Sequence, residues 1–315
     1  MYVTRLLTDD AMDAVAALGL PVVAGRESPP SRAELLRDAA GAVAVISTLT
    51  DRVDAAVLDA AGPALRVVAN VAVGYDNVDV PAARARDVVV TNTPGVLDAA
   101  TADLTLGLVL ALARRIAEGD RFLRTGAPWV WGPRMMTGLD LSAGATLGVV
   151  GYGRIGRAVA RRARAFDLRV LATPSRSPMT AEERTAVEFR ELPELLADSD
   201  VVTLHCPLTP ATYHLLDDAA LARMRPGGLL VNTARGAVID TDALVRALTS
   251  GRLGGAALDV FEDEPHVDPR LPALEQVVLT PHLGSAGAST RNAMCALAVR
   301  NVAAVLAGDA PLTPV

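Results

Sequence analysis

The sequence is poor in the residues that several classes of protein require. It contains 2 cysteines in 315 residues, too few for a disulfide framework or a cysteine-rich zinc site, and no spacing of its possible ligands suggests another metal site. Cys206 and Cys295 are therefore expected to be reduced and buried. Lys and Arg (30) are fewer than Asp and Glu (36), so the formal net charge of −6 argues against nucleic acid as a partner.

Long apolar segments are also lacking. No apolar run reaches the length that spans a membrane, and the opening residues MYVTR do not begin a signal peptide. The sequence therefore predicts a cytoplasmic protein with no membrane partner. Aromatic residues make up only 3% of the chain, yet Trp129 and Trp131 lie close together. They predict either a subunit contact or a side chain that reaches an active site, and aromatic enrichment at interfaces favours the contact.

A glycine-rich stretch, residues 146–156, is the most informative part of the sequence. A short apolar run meets Gly151, Gly153 and Gly156, and a helix-like segment and a second strand-like run follow. This is the context of a dinucleotide fingerprint: the first glycine permits a tight turn, the second lets the backbone approach a pyrophosphate, and the third lets the helix pack on its strand. The free N–H groups of the helix N-terminus suit phosphates. A purely structural glycine turn is the alternative.

Strand-like and helix-like segments alternate along the whole chain, which is long enough for two domains. Apolar strands separated by helices imply parallel sheets that are covered on both faces. Residues 1–95 form one such unit, and the alternation resumes at the glycine turn. Between them, residues 98–115 predict a long buried helix whose C-terminus Arg114 and Arg115 stabilise. The predicted fold class is α/β, with two doubly wound parallel-sheet domains and a cleft between them.

Polar residues follow several strands at the same end of the second predicted sheet, and Arg235, Glu264 and His282 stand out among them. A guanidinium holds a carboxylate through two hydrogen bonds, and a histidine transfers a proton near neutral pH. A carboxylate behind the histidine orients the ring and favours its charged form. Together they suit hydride transfer to a ketone beside a carboxylate. Individually, they also suit a surface ion pair, a solvated carboxylate and a backbone cap.

The loop at residues 70–79 follows a strand of the first unit. Ligands of open α/β sheets bind at the carboxyl ends of strands, so the backbone amides of Val73 and Gly74 are predicted to receive a small carboxylate. A plain turn is the alternative. Of the other histidines, His205 is expected near the cofactor, whereas His214 and His266 are expected to be solvated.

The ordered motifs resemble those of the D-isomer-specific 2-hydroxyacid dehydrogenases along nearly the whole chain. The resemblance rests on the glycine fingerprint and on residues 70–79, 224–236, 258–265 and 280–285. In that family the matching Arg, Glu and His are catalytic, which assigns these roles to Arg235, Glu264 and His282. The resemblance also implies a flavodoxin-like substrate domain formed by residues 1–96 and 284–315, a Rossmann cofactor domain at residues 97–283, and a homodimer joined through the cofactor domain.

The resemblance implies that five residues line the nicotinamide side of the cofactor: Pro207, Thr212, Thr233, Ala234 and Asp259. The remaining predicted cofactor-binding residues are Gly151, Gly153, Arg154, Ile155, Gly156, Ser175, Arg176, Cys206, Arg235, His282 and Gly284. The predicted substrate-binding residues are Val73, Gly74, Arg235 and His282.

The choice of cofactor depends on the end of the second strand after the glycines. NAD-specific sites place an acidic residue ~20 residues beyond the glycines to bind the ribose 2′-hydroxyl. Pro174 occupies the expected position here, and Ser175 and Arg176 follow it. Because a guanidinium pairs with a 2′-phosphate, the sequence predicts a preference for NADP. A site that accepts both NADP and NAD is the alternative.

Within the family, residues 129–133 and 138–140 resemble the glyoxylate and hydroxypyruvate reductases. This predicts NAD(P)H-dependent reduction of a small 2-oxoacid to the D-2-hydroxy acid, with the proton supplied by His282. A dehydrogenase for another 2-hydroxy acid, such as 3-phosphoglycerate, is one alternative. A nucleotide-sensing corepressor of the same fold is another, because one fold can host unrelated functions.

Overall fold

The computed structural model describes residues 1–175 and 177–315. The chain divides into two compact units: residues 1–97 together with 286–315, and residues 98–285. Each unit contains one parallel β-sheet. The strands are β1 (Tyr2–Val3), β2 (Val23–Ala24), β3 (Ala44–Thr48), β4 (Val67–Val71), β5 (Val89–Thr91), β6 (Thr146–Val150), β7 (Arg169–Ala172), β8 (Glu188–Phe189), β9 (Val201–Leu204), β10 (Gly228–Asn232), β11 (Leu253–Leu258) and β12 (Val277–Leu279).

Helices precede, connect and follow these strands. They are α1 (Asp9–Ala16), α2 (Arg32–Ala39), α3 (Ala55–Ala61), α4 (Val80–Arg84), α5 (Asp98–Ala113), α6 (Ile116–Arg124), α7 (Arg154–Arg164), α8 (Ala181–Thr185), α9 (Leu192–Asp198), α10 (Asp218–Arg223), α11 (Thr241–Thr249) and α12 (Ala288–Ala307). Several begin at a side chain that accepts a first-turn N–H, as Asp54 does for α3 and Asp240 for α11. Helix α2 begins with a capping box, in which the Ser31 hydroxyl accepts the Glu34 N–H and the Glu34 carboxylate accepts the Ser31 N–H.

The first unit has a five-stranded sheet in the order β2-β1-β3-β4-β5. Its strand pairs are parallel; for example, β3 pairs with β4 through Ala44 opposite Val67. The core strand β4 is buried along its whole length, as expected for a parallel sheet covered on both faces. The C-terminal helix α12 packs against β4 and α1, so the end of the chain completes the unit that its beginning starts.

The second unit has a seven-stranded sheet in the order β12-β11-β10-β9-β6-β7-β8. The strand order reverses beside β6, the strand that leads into the glycine-rich turn. Open α/β sheets bind ligands at this switch point, outside the carboxyl ends of the strands. One face is covered by α5, which packs against α7, β10 and β11. The predicted α/β class with two doubly wound parallel sheets is confirmed.

The long helix predicted at residues 98–115 is present as α5. It ends at Ala113, and α6 begins at Ile116. Arg115 between them has a left-handed backbone (φ 53°), and its Nε donates to Glu118 Oε2 at 2.8 Å. A left-handed residue cannot continue the helical hydrogen bonding, so α5 ends before Arg115 and a new helix starts after it.

Cys206 and Cys295 are free thiols and buried, as predicted. Residues 1–175 and 177–315 include no helix that is both long and apolar enough to cross a membrane. The same residues contain no group of three or more His, Cys, Asp or Glu side chains arranged to hold a metal ion.

Candidate active site

The glycine-rich turn lies at the carboxyl end of β6. Gly151 has a φ of +96°, and a Cβ atom at this residue would lie 2.4 Å from the backbone N of Cys206. A Cβ at Gly156 would lie 2.2 Å from the carbonyl oxygen of Gly151, whereas a Cβ at Gly153 would meet nothing within 4 Å. The first and third glycines are therefore required by packing, and the second borders open space. This matches the three roles of a dinucleotide fingerprint.

The helix that follows this turn is suited to an anion. It begins at Arg154, and its N-cap residue, Gly153, has no side chain with which to cap the first-turn N–H groups. Uncapped N–H groups at a helix N-terminus bind phosphate favourably. Together with the open space beside Gly153, this arrangement fits the pyrophosphate of a dinucleotide. Arg154 is exposed and Ile155 is half-buried.

The end of β7 bears on the choice between NAD and NADP. The strand ends at Ala172, and Pro174 and Ser175 follow it. The Ser175 hydroxyl accepts a hydrogen bond from the backbone N–H of Ser177 at 3.2 Å. Arg176, the residue predicted to pair with a 2′-phosphate, lies outside the described residues. Of these two predicted cofactor-binding residues, the structure therefore describes only Ser175.

A histidine–carboxylate pair follows β11 and β12, in the other half of the sheet from β7. His282 Nδ1 is 2.9 Å from Glu264 Oε2, and Glu264 Oε1 accepts the backbone N–H of Phe261 at 3.0 Å. Burial acts to raise the pKa of Glu264, but the hydrogen bond and charge of His282 outweigh it, so this pKa lies below its ordinary value. Glu264 is thus held as a carboxylate that orients the imidazole ring.

The loop that carries His282 is held by Asp259, which is almost fully buried. Asp259 Oδ1 accepts the Thr280 hydroxyl at 2.7 Å and the Leu283 N–H at 2.6 Å. Its Oδ2 accepts the Gly284 N–H at 2.8 Å. His282 itself has a φ of +53°, a left-handed conformation that is uncommon outside glycine, although histidine adopts it more often than most residues do. The sequence placed Asp259 beside the nicotinamide but did not reveal this second set of contacts.

Arg235 follows β10 in a turn that Asn232 holds. The buried Asn232 side chain donates to the Arg235 carbonyl at 2.8 Å and accepts the Ala234 N–H at 3.0 Å. The next residue, Gly236, packs directly on the chain after β11, since a Cβ there would lie 1.8 Å from the carbonyl carbon of Phe261. The Arg235 turn is therefore pressed against the loop that carries Glu264, and the charge of Arg235 contributes to lowering the Glu264 pKa.

The three candidate catalytic residues thus follow three neighbouring strands. Arg235 comes after β10, Glu264 after β11 and His282 after β12, and these strands are adjacent in the sheet. Because the strands are parallel, their carboxyl ends lie along one edge. In this arrangement the Arg235 cation suits the carboxylate of a substrate. Beside it, His282 is a candidate proton donor that the Glu264 carboxylate holds in place.

The residues predicted on the nicotinamide side lie in well-fixed segments of the same unit. Thr233 Oγ1 is 2.9 Å from Thr105 Oγ1, with both hydroxyls buried, and Thr212 Oγ1 donates to the Pro207 carbonyl at 2.6 Å. Burial raises the pKa of Cys206 to about 11. This residue is therefore a neutral thiol near neutral pH and does not act as a thiolate nucleophile.

His205 precedes Cys206 at the end of β9. Both of its ring nitrogens are buried, and neither has a hydrogen-bond partner among the described residues. Burial lowers the pKa of His205 to about 3, so the ring is neutral near pH 7. A neutral imidazole next to the tight turn at Gly151 adds no charge to the predicted cofactor site.

The predicted carboxylate loop lies in the first unit. The Val73 carbonyl accepts the Asn92 side-chain amide at 2.8 Å, and the Gly74 carbonyl accepts the Asn70 amide at 3.1 Å. Asn70 is fully buried and also donates to Asn77 Oδ1 at 3.0 Å. The backbone N–H groups of Val73 and Gly74 have no acceptor in the described part of the chain, so two donors are available to an anion.

His214 is solvated only in part: its side chain is 29% exposed. His214 Nε2 lies 2.6 Å from Glu262 Oε1, and its ring stacks on Tyr213 with centroids 4.0 Å apart. Nothing in the residue pattern signals this pairing, because the two partners are 48 residues apart. His266, by contrast, is exposed as predicted.

A glycine turn at the switch point of a doubly wound sheet, with Arg, Glu and His at adjacent strand ends, defines an NAD(P)-dependent oxidoreductase. The sequence profile of the D-isomer specific 2-hydroxyacid dehydrogenase NAD binding domain matches residues 106–284. A glyoxylate reductase of Thermofilum pendens is 44% identical over 317 residues, which cover 99% of this chain and 92% of that protein.

Solved structures agree with these matches. A protein from Thermus thermophilus is 50% identical, with a TM-score of 0.92 over 100% of this chain and 99% of that one. An NADPH-dependent glyoxylate/hydroxypyruvate reductase from Sinorhizobium meliloti, in complex with NADP and malonate, is 33% identical, with a TM-score of 0.85 over 100% and 95% of the two chains. The chain belongs to the D-isomer specific 2-hydroxyacid dehydrogenase family, so the predicted family is confirmed, as is its use of NAD(P) to reduce 2-oxoacids.

Proposed function

We propose that the protein reduces a small 2-oxoacid of the glyoxylate or hydroxypyruvate type to the D-2-hydroxy acid, with NADPH preferred over NADH. The observation that carries the proposal is the 2.9 Å contact between His282, which follows β12, and Glu264, which follows β11. Arg235 follows β10, the next strand in the sheet. Relatives named glyoxylate reductase, 44% identical over 99% of the chain, support the choice of substrate.

In this proposal Arg235 holds the substrate carboxylate through two parallel hydrogen bonds. The nicotinamide supplies hydride to the carbonyl carbon when it is bound. Negative charge then develops on the carbonyl oxygen, and His282 donates a proton to it from its charged form. Glu264 stabilises that charged form and keeps the ring in position. The free N–H groups of Val73 and Gly74 are proposed to bind the substrate carboxylate as well.

The test is a panel of 2-oxoacids, each followed by the loss of nicotinamide absorbance, with chiral analysis of the product. We expect turnover of glyoxylate and hydroxypyruvate and a D product from hydroxypyruvate. His282→Ala should lower kcat by roughly 10²–10⁴ while cofactor still binds. If the wild-type protein binds cofactor but turns over no acid, the nucleotide-sensing alternative replaces this proposal.

The cofactor preference is supported by the lack of an acidic side chain where β7 ends. Pro174 and Ser175 occupy the positions after this strand, so no carboxylate there repels a 2′-phosphate. The test compares kcat/KM for NADPH and NADH in the wild type and in Arg176→Ala. A wild type that prefers NADH would refute the cofactor proposal, and a preference that survives Arg176→Ala would transfer the role to Ser175 or Arg154.

We further propose that residues 1–96 with 284–315 form the substrate domain, that residues 97–283 bind the cofactor, and that two copies associate through the latter. Exposed apolar side chains on α6 and the loop after it support the association: Ile116 (57% exposed), Leu123 (57%), Trp129 (54%), Val130 (87%) and Trp131 (76%). Trp131→Glu should shift the mass measured by sedimentation toward a monomer. We place the protein in the cytoplasm, because a reductase of this kind draws on the intracellular nicotinamide pool.

A further inference from the structure

His214 contacts two segments of the proposed active site, the one that follows Arg235 and the one that carries Glu264. Its Nε2 contacts Glu262 Oε1 at 2.6 Å, and its Nδ1 lies 3.9 Å from Asp240 Oδ2. Glu262 Oε2 also accepts the Thr241 hydroxyl at 2.7 Å. Burial acts to raise the pKa of Glu262, but hydrogen bonds from His214 and Thr241 outweigh it and lower this pKa overall. Glu262 is therefore a carboxylate fixed from two sides.

The backbone of the same residue makes a second connection. The His214 N–H donates to the Ala237 carbonyl at 2.8 Å, two residues beyond Arg235. The chain at 214–216 then runs beside the segment at 237–240, with Leu216 and Ile239 forming a parallel bridge. This backbone contact does not depend on the imidazole. The side chain of His214 is therefore not needed to hold the Arg235 turn, and its hydrogen bond goes to the Glu262 loop, with Asp240 as a more distant charged neighbour.

The Glu262 loop is the one that carries Glu264. Phe261 donates its N–H to Glu264, and Glu264 in turn contacts His282. The loop thus bears two carboxylates, two residues apart, each paired with a different histidine. One pair contains the proposed proton donor, and the other anchors the loop to the segment that also contains Thr212. Moving Glu262 moves the backbone on which the position of Glu264 depends.

We infer that His214 is a positioning residue for the proton donor: its contact with Glu262 fixes the loop that places Glu264 against His282. The inference rests on the proposed function, in which His282 gives the proton. His214 has a φ of +49°, and histidine, asparagine and aspartate tolerate this left-handed conformation better than most residues. Asparagine is therefore the substitution that removes the Nε2 contact with the least change to the backbone.

The experiment measures hydride transfer in a single turnover, together with KM for the 2-oxoacid and Kd for NADPH. His214→Asn is too short to reach Glu262 and should lower the rate by about 10-fold to 100-fold, since misplacement by about 1 Å costs this much. KM and Kd should stay within about twofold, because the Arg235 turn keeps its backbone contact. His214→Gln places an amide near the Nε2 position and should restore most of the rate.

A second pair of variants tests the contact from its other side. Glu262→Ala should lower the rate at least as much, since it also removes the contact with Thr241. The double variant should be no slower than Glu262→Ala, because both changes remove the same contact with His214. His266→Asn is the matched control: its side chain is 82% exposed, it follows the same loop, and it should leave the rate unchanged. Glu262→Ala also keeps the inference testable if His214→Asn does not fold.

Three results would overturn the inference. They are a wild-type rate in His214→Asn despite a lower melting temperature, an equal loss in His214→Asn and His214→Gln, or additive losses in the double variant. Each of these leaves the proposed function intact, because it is measured against an active wild type. A wild type that turns over no 2-oxoacid would instead refute the proposed function itself.

Discussion

Asp259→Asn tests whether one buried carboxylate fixes the loop of the proposed proton donor. The wild-type side chain, 1% exposed, accepts the Thr280 hydroxyl and the N–H groups of Leu283 and Gly284. An asparagine has a single acceptor oxygen. If that oxygen takes the place of Oδ1, the new NH₂ group faces the Gly284 N–H and leaves a buried donor without a partner.

The magnitude follows from the three hydrogen bonds. An unsatisfied buried N–H costs about 1–3 kcal/mol, and each of the two remaining bonds loses about 1 kcal/mol when its acceptor is no longer charged. The free energy of unfolding should therefore fall by roughly 3–5 kcal/mol. The loop should also loosen, which lowers kcat because His282 loses its fixed position.

Urea denaturation followed by far-ultraviolet circular dichroism suits this measurement. Trp129 and Trp131 are already 54% and 76% exposed in the folded protein, so their fluorescence would change little on unfolding. Asp263→Asn is the matched control, since this side chain is 92% exposed and its change should stay within about 0.5 kcal/mol. A loss below about 1 kcal/mol in Asp259→Asn, with kcat unchanged, would refute the reasoning.

Three further measurements test other parts of the site. The pKa of Glu264 is lowered below its ordinary 4.5, so the carboxylate stabilises the fold above that pH and loses this effect as the pH falls through the lowered value. The difference in the free energy of unfolding between wild type and Glu264→Gln should therefore be full at pH 5–6, and it should shrink in acid and not widen. Gly236→Ala should destabilise the protein and lower kcat, because its Cβ would lie 1.8 Å from backbone carbon, whereas Gly153→Ala has open space and should leave stability nearly unchanged. Cys206, buried with its pKa raised to about 11, should resist iodoacetamide at pH 7.5 in the folded protein and react after unfolding; rapid labelling of the native state would contradict its burial.

The sequence was most informative where a residue type has a single physical reason to be present. The glycine turn was predictable because tight turning, close approach and helix packing each exclude a side chain at a known spacing, and the structure shows the tight turn at Gly151 and the helix packing at Gly156. The sheet arrangement was predictable for a similar reason: buried parallel strands leave continuous apolar runs, as in β4 and β10.

The features that the sequence did not predict depend on contacts between distant residues. A further helix starts just after Arg115, whose left-handed backbone is a conformation that nothing in the neighbouring residue types demands. The pairing of His214 with Glu262 joins residues 48 positions apart, and only the fold brings them together. The hydrogen bonds that Asp259 accepts from the loop after β12 could not be predicted from the sequence either, because an acidic residue after a strand more often faces solvent.

Because Arg235, Glu264 and His282 follow three adjacent strands, the sheet sets the distances between the points at which their loops begin. Neighbouring strands are about 4.8 Å apart, so the two outer loops start about 10 Å from each other whatever their sequences are. Backbone hydrogen bonds, such as those that pair Asn232 with Leu258 and Leu258 with Leu279, set this spacing. The sheet therefore sets where these loops begin, and side-chain contacts such as those of Asp259 set where His282 lies. An engineer who wishes to change the acid that is reduced should keep the side chains that hold these loops and vary other residues around the site.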